Sequence, residues 1–433
     1  MKKVCIIGAG ASGLAAIKHV SESSYLDGVV FEQGDKIGGL WVYSDNVRNP
    51  EGGGPVHSSM YQSLRTHLPK QLMAYPEFPF GETEGSFVTH GEMLKYLNEY
   101  ANAYKLMRYI QFKQKVVNVK PSAEDSNKWL VTVECLATKT LSVQEFDSVI
   151  VCNGHCFKPL YPAIRNQDLF KGEIIHSKDY RKPARFFRKK VVVIGGGLSA
   201  LDLSIEIAST ATTVLFSHQG QPFETCWLPE NVRQVGKVTE VTTRGIVLDD
   251  GEESQVDCIV LCTGYVYDYP FLAMEECKME VVDGKYVTPL YRHFIHSKFP
   301  TLAFFGLPFL NAVIPLMDCQ ARFYTKFLEG NVKLPTEAEM NRQIEYEFNL
   351  KKNNGLEISK SHSMENNPWN YYKTLGVEAG FNTNWIPLMK SVYNHVHERR
   401  SQFPTLYKFD KVTVKSQNEY EYVAIEETFS LEG

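Results

Sequence analysis

The sequence predicts an α/β protein of two dinucleotide-binding (Rossmann-like) domains, the smaller inserted in the larger. Three observations predict it. Val4–Ile7 leads into Gly8-Ala9-Gly10-Ala11-Ser12-Gly13, and Val191–Ile194 leads into Gly195-Gly196-Gly197-Leu198-Ser199-Ala200. Each is an apolar run, a glycine turn and a helix-favouring stretch, as expected of a parallel strand buried on both faces. Two further apolar runs, Ser148–Gly154 and Cys258–Gly264, also end in glycine and read as strands where the chain crosses between domains. The larger domain is then 1–159 with 270–433, and the insert is 160–269.

Size and composition agree. A chain of 433 residues accommodates two or three domains, and a 43% hydrophobic content supplies a sizeable core. The formal net charge is −4 with no basic stripe, which argues against a nucleic-acid partner. No apolar run reaches the ~18 residues of a transmembrane helix. The apolar start is too short for a signal peptide and reads as the first buried strand. The alternative is a secreted mature chain whose leader was removed before Met1. Nine cysteines, including Cys226, form no Cys-x-x-Cys pair, which disfavours zinc and disulfide frameworks. A reducing, cytoplasmic setting is expected. Towards the C-terminus, 335–353 and 385–400 read as helices, and the polar, aromatic stretch 360–384 reads as loop-rich.

At the first turn Gly8 permits the tight bend, Gly10 lets backbone approach a pyrophosphate, and Gly13 lets helix and strand pack closely. The helix N-terminus presents free N–H groups and partial positive charge to phosphate. The next strand, Gly28–Phe31, ends at Glu32, whose carboxylate suits ribose hydroxyls and would repel a 2′-phosphate. That favours FAD or NAD over NADP here. Gly38-Gly39-Leu40-Trp41 follows, a paired-glycine segment suited to passing close to a flavin.

The second turn has Gly195, Gly197 and Ala200 in the three positions, with Ser199, Leu201 and Asp202 opening the helix. Ser199 could bond a phosphate oxygen. Asp202 carries the wrong charge for that and is expected to orient backbone. The following strand ends in Phe216-Ser217-His218, with neither an acid to select NADH nor an arginine to grip a 2′-phosphate. Ser217 and His218 are the candidates for that phosphate, so NADPH with relaxed selectivity is expected.

Between the turns, Phe170, Gly172, His176, Tyr180 and Arg181 complete F-x-G-x-x-x-H-x-x-x-Y/F-K/R. Here the chain resembles the flavin-containing monooxygenases. Further similar segments are Tyr61–Lys70, Leu261–Tyr265, Leu302–Pro308 and Cys319–Arg322, so the resemblance covers roughly 1–330. Its look is that of the insect and fungal members. Tyr180 stands where Baeyer–Villiger monooxygenases have tryptophan. No cysteine lies between Cys5 and Cys135, where a flavin disulfide reductase needs its redox pair. His176 reads better as a structural histidine of the interdomain linker than as a proton carrier.

The resemblance implies FAD and NADPH as cofactors and O2 as co-substrate. It implies oxygenation of soft nucleophiles, by N-oxidation of tertiary amines and S-oxidation of sulfides, through a C4a-hydroperoxyflavin. By analogy an alkaloid is one such substrate. The residues implied at FAD are Gly8, Gly10, Ser12, Gly13, Glu32, Gly39, Leu40, Trp41, Thr66, His67, Leu68, Val117 and Gln320. Those implied at NADP are Gly195, Gly197, Ser199, Ala200, Leu201, Asp202, Ser217 and His218. Thr66 and His67 are the candidates nearest the chemistry. The family usually has asparagine at the His67 position. Imidazole there is bulkier and able to change charge near neutrality. Two other classes compete: an NADPH oxidase releasing H2O2, and a non-catalytic flavoprotein, which would turn over no NADPH. The apolar stretch 310–315 and the C-terminal aromatics are the expected substrate lining, and a homodimer is the expected assembly.

Overall fold

The computed structural model describes residues 1–47, 57–125, 127–220, 228–309, 311–364 and 368–425. Cys226 and Leu310 lie outside the described residues.

Two parallel sheets repeat one arrangement. In the first, Lys2–Ile7 lies between Leu26–Phe31 and Ser148–Val151, all parallel. Ile110–Gln111 extends one side. Leu302–Phe304 extends the other in parallel, followed by the antiparallel Ile295–His296 and Leu290–Tyr291. In the second sheet, Lys190–Ile194 lies between Thr213–Ser217 and Cys258–Leu261, with Val232–Val235 and Glu173–His176 at the edges. Both central strands stop level with their neighbours. Ile7 pairs Phe31 and Val151, and Ile194 pairs Ser217 and Leu261. Each glycine turn therefore emerges at the carboxyl edge between diverging connections, where open α/β sheets bind ligands.

Burial follows from the continuous apolar strands. Val4 and Ile6 enter one buried cluster, while Cys5 and Ile7 enter another on the opposite face. Val191 and Val193 separate from Val192 in the same way. The two connections between sheets run side by side: Pro159 pairs Tyr265 and Lys158 pairs Val266, antiparallel. Tyr61, from the segment after the first helix and strand, is buried in the core of the second sheet.

Helices Glu337–Asn353 and Ile386–Gln402 form within a residue or two of the expected 335–353 and 385–400. The stretch 360–384 does not stay loop-rich. It contains the helix Pro368–Ala379, which buries Trp369, Tyr372, Leu375, Gly376 and Ala379 against the main core. Those positions repeat at three- and four-residue spacing, and the polar residues between them disguise the pattern. No helix among the described residues is long and apolar enough to cross a membrane.

Candidate functional site

Three close approaches shape the first turn. Gly8 has φ +100°, and a Cβ there would lie 2.7 Å from the Cys152 carbonyl oxygen. A Cβ on Gly13 would lie 1.9 Å from the Gly8 oxygen. Gly38 and Gly39 both have positive φ, and a Cβ on Gly39 would come within 3.0 Å of the Gly10 Cα. The Gly38–Gly39 loop thus presses backbone against backbone, fixed by the Gly38 N–H donating to the Ala9 carbonyl at 3.0 Å. Gly10 caps helix Ala11–Ser21, so the cap residue lays no side chain over the helix N-terminus.

Glu32 is tied into this turn. Its Oε2 accepts from the Ala9 N–H and its Oε1 from the Gly34 N–H, both at 2.7 Å. Burial raises its carboxyl above the usual range, while these two donors oppose the rise. Leu40 and Trp41 continue as a single 3-10 turn, Gly39–Trp41, with the Leu40 carbonyl accepting from Ser58 at 2.7 Å. Trp41 and Leu68 pack on the main core. Val117 sits at a bulge in strand Gln114–Pro121, between the paired residues Val116 and Asn118.

Ser12 is buried, and a Cβ on Gly306 would lie 2.9 Å from its hydroxyl. Gln320 reaches this place indirectly. Its Oε1 accepts the Gly306 N–H at 2.9 Å and its Nε2 donates to the Tyr371 hydroxyl at 3.1 Å. With both ends of its amide engaged, Gln320 holds the turn that closes on Ser12.

The second turn is more open. A Cβ on Gly195 would lie 2.3 Å from the Cys262 oxygen, but one on Gly197 would meet nothing within 4 Å. Ser199 is exposed at the start of helix Leu198–Ala208, while Ala200 and Leu201 are buried in the core beneath. Ser217 turns inward: its buried hydroxyl donates to the Gly236 carbonyl at 2.8 Å. His218 stands at the rim, its Nε2 3.0 Å from Gln234 Oε1 and its Cβ 3.8 Å from where a Gly196 Cβ would be.

The two halves meet at Asp202. Its Oδ2 accepts from the Tyr61 hydroxyl at 2.7 Å and from the Lys408 ammonium, and lies 3.8 Å from His67 Nε2. Burial pushes this carboxyl up, but the neighbouring Lys408 charge and the hydrogen bonds from Lys408 and Tyr61 outweigh it and hold the group below its usual range. His67 Nδ1 is 3.2 Å from the Tyr407 hydroxyl. Burial, then the Lys408 charge, push the imidazole down to about 3. At that value the His67 imidazole is neutral near pH 7. Tyr407 and Lys408 were not legible in the sequence, since neither belongs to a motif.

In the fingerprint between the turns, His176 and Arg181 bond to nearby backbone. His176 Nδ1 accepts the Lys178 N–H at 3.1 Å, and burial pushes the ring down to about 4. Arg181 is buried and donates to four backbone carbonyls: Ser44 and Lys178 at 2.7 Å, Tyr180 at 2.7 Å, and Ser58 at 3.1 Å. It pins the linker to the segment carrying Tyr61 and His67.

Several buried polar atoms have no hydrogen-bond partner within the protein. They include the Thr66 hydroxyl and both ends of the Asn311 amide. Buried polar groups are satisfied as a rule, so these await a partner. Together with the backbone cradle of Gly10 and Gly39, they fit a dinucleotide with a polar ring system. A cavity of about 380 Å³ lies elsewhere, lined by Glu77, Asp318, Arg322, Phe381 and Trp385 among others. Its charges are internally paired: Arg322 bonds both Asp318 and Glu77, and Asp318 also bonds His19.

Comparison with known proteins now decides the family. The flavin-binding monooxygenase-like family matches residues 1–228 and 221–391. The chain belongs to that family. It is 31% identical over 400 residues to senecionine N-oxygenase of Tyria jacobaeae, covering 91% of this chain and 85% of that one. It is 32% identical over 401 residues to flavin-containing monooxygenase FMO GS-OX-like 4 of Arabidopsis thaliana, covering 87% of each. Among solved structures, S-allyl-L-cysteine S-oxygenase from Allium sativum superposes with a TM-score of 0.86 at 30% identity, covering 94% of both chains. This flavin monooxygenase thus has relatives named for oxygenating nitrogen and for oxygenating sulfur.

Proposed function

We propose that this flavin monooxygenase uses FAD, NADPH and O2 to oxygenate soft nucleophiles, by N-oxidation of tertiary amines and S-oxidation of sulfides. FAD is assigned to 1–159 with 270–433, and NADPH to 160–269. The observation that carries the proposal is the 3.8 Å approach of Asp202, on the second turn's helix, to His67, which follows Thr66. It supports two dinucleotide sites facing one another across a common seam. The named N- and S-oxygenating relatives support the choice of acceptor.

When bound and reduced, the flavin supplies the activated oxygen that a soft nucleophile takes. The chain's own residues bind, orient and exclude water. Gly8, Gly10, Ser12 and Gly13 offer backbone and hydroxyl donors to the FAD pyrophosphate, and Glu32 keeps lone pairs for ribose hydroxyls. Gly39, Leu40, Trp41, Thr66, His67 and Leu68 would hold the ring system, and Val117 would offer backbone to the adenine. Gln320 acts through Gly306. In the second unit Gly195, Gly197 and Ser199 face the pyrophosphate, with Ala200 and Leu201 seating the helix. With Ser217 turned inward, His218 is left for the 2′-phosphate. Asn311 and the apolar start of helix Val313–Leu328 line the acceptor space.

The eight described cysteines are free, which supports a cytoplasmic setting. We assign a homodimer to the same reading. Anaerobic titration of the FAD-loaded protein with NADPH and with NADH tests the cofactors. Bleaching of the flavin at lower concentrations of NADPH is the expected result. Bleaching by neither nucleotide would overturn the proposal.

A further inference from the structure

Asp202 poses a problem for the second turn. It lies five residues beyond Gly197, within about 8 Å along the helix at 1.5 Å rise per residue. Its side chain is only 14% accessible, so little water screens it. An unpaired carboxylate there would repel the anionic pyrophosphate that the open turn is built to receive. Lys408 answers that charge. Its ammonium bonds Asp202 Oδ2 and is itself 12% accessible. It comes from the other end of the chain, on the 3-10 turn Tyr407–Phe409.

The Lys408 turn is firmly seated. Tyr407 is buried, with its ring edge-on to Phe87 at 5.3 Å. Just beyond, the Val412 carbonyl accepts from Gln71 at 2.7 Å, and the Val412 N–H donates to Ser86 at 2.8 Å. Burial pulls the Lys408 ammonium below its usual range, Asp202 opposes that fall, and Arg400 and Arg65 add to it. Lys408 is thus a cation in hydrogen-bond contact with a carboxylate on the helix that opens at the second glycine turn.

We propose that Lys408 is a positioning residue for the nicotinamide nucleotide, which admits the anion by neutralising Asp202. The proposal rests on the assignment of NADPH to the Gly195–Ala200 turn. Neutralisation and a simple structural tie make different forecasts. If the pair were only a tie, losing either partner would weaken binding alike. If charge is the point, losing Lys408 exposes the anion, whereas losing Asp202 removes it.

The test measures NADP+ affinity of the FAD-loaded protein by calorimetry, with the split between KM for NADPH and kcat as second readout. Lys408→Met should weaken NADP+ binding about ten-fold or more, mainly through KM. Asp202→Asn should leave binding within about three-fold, and the double variant should recover most of the loss. Lys408→Arg should retain affinity. Equal losses in Lys408→Met and Asp202→Asn, or no recovery in the double variant, would overturn the proposal. Should Lys408→Met fail to fold, a large loss in Asp202→Asn alone overturns it, and retained affinity there with Lys408→Arg upholds it. Gly197→Leu, which fills the open turn, separates the two levels. If it leaves NADP+ binding intact, the assignment of the turn fails. If it abolishes binding while Lys408→Met does not, only the role of Lys408 fails.

Discussion

The Gly8 carbonyl oxygen occupies the space a Cβ on Gly13 would need, at 1.9 Å. Helix and strand are thereby locked at a distance that no other residue type permits. Gly13→Ala forces the helix start away from the strand and with it the donors offered to phosphate. The expected result is a stability loss of about 3 kcal/mol and a protein purified with little flavin. Thermal unfolding and the ratio of flavin to protein absorbance measure both.

His67 is neutral, and the pH dependence follows from that. Its folded value is pushed from 6.5 to about 3. Between those values the unfolded chain binds a proton that the fold refuses, so this residue's contribution to stability is lost as pH falls from 6.5 towards 3. His67→Asn removes that contribution. Urea unfolding at about pH 7 and about pH 5 should show a smaller decline for the variant than for the parent. Any inflection in the pH–rate profile between about 6 and 9 should survive the substitution, because His67 does not titrate there.

The same substitution bears on coupling. Asparagine in place of His67 restores the residue usual in the family and offers an amide to the Thr66 region. Hydrogen peroxide released per NADPH consumed should fall. A peroxidase-coupled assay reads the ratio, and an unchanged or higher ratio makes His67 a tolerated substitute with no part in coupling.

Arg181 uses its fork on four carbonyls of three segments. Lysine has the charge without the geometry. Arg181→Lys should cost about 3 kcal/mol of stability while the folded fraction keeps its flavin. Calorimetric unfolding together with the flavin spectrum separates the two effects.

Much of the fold was legible because its signals are local. Glycine turns after apolar runs located both central strands, and Glu32 followed from its place at the end of the next one. What was not legible depends on distant contacts. Ser217 sits in register for a phosphate, yet its hydroxyl finds Gly236 across the strand edge. Gln320 looked like a ligand group but serves Gly306 and Tyr371. Lys408 stands 206 residues from Asp202, and no local pattern announces the pairing. Helix Pro368–Ala379 was hidden by polar residues that its buried aromatic face outweighs.

The central claim is that this chain transfers oxygen to a soft nucleophile. The direct measurement is turnover with NADPH under 18O2, with a tertiary amine and a sulfide as acceptors and mass spectrometry of the products. The account predicts one 18O atom in the amine oxide or sulfoxide, formed in near-stoichiometric ratio to NADPH consumed. NADPH consumed with equal hydrogen peroxide, and no labelled product from either acceptor, would contradict it and make the protein an oxidase.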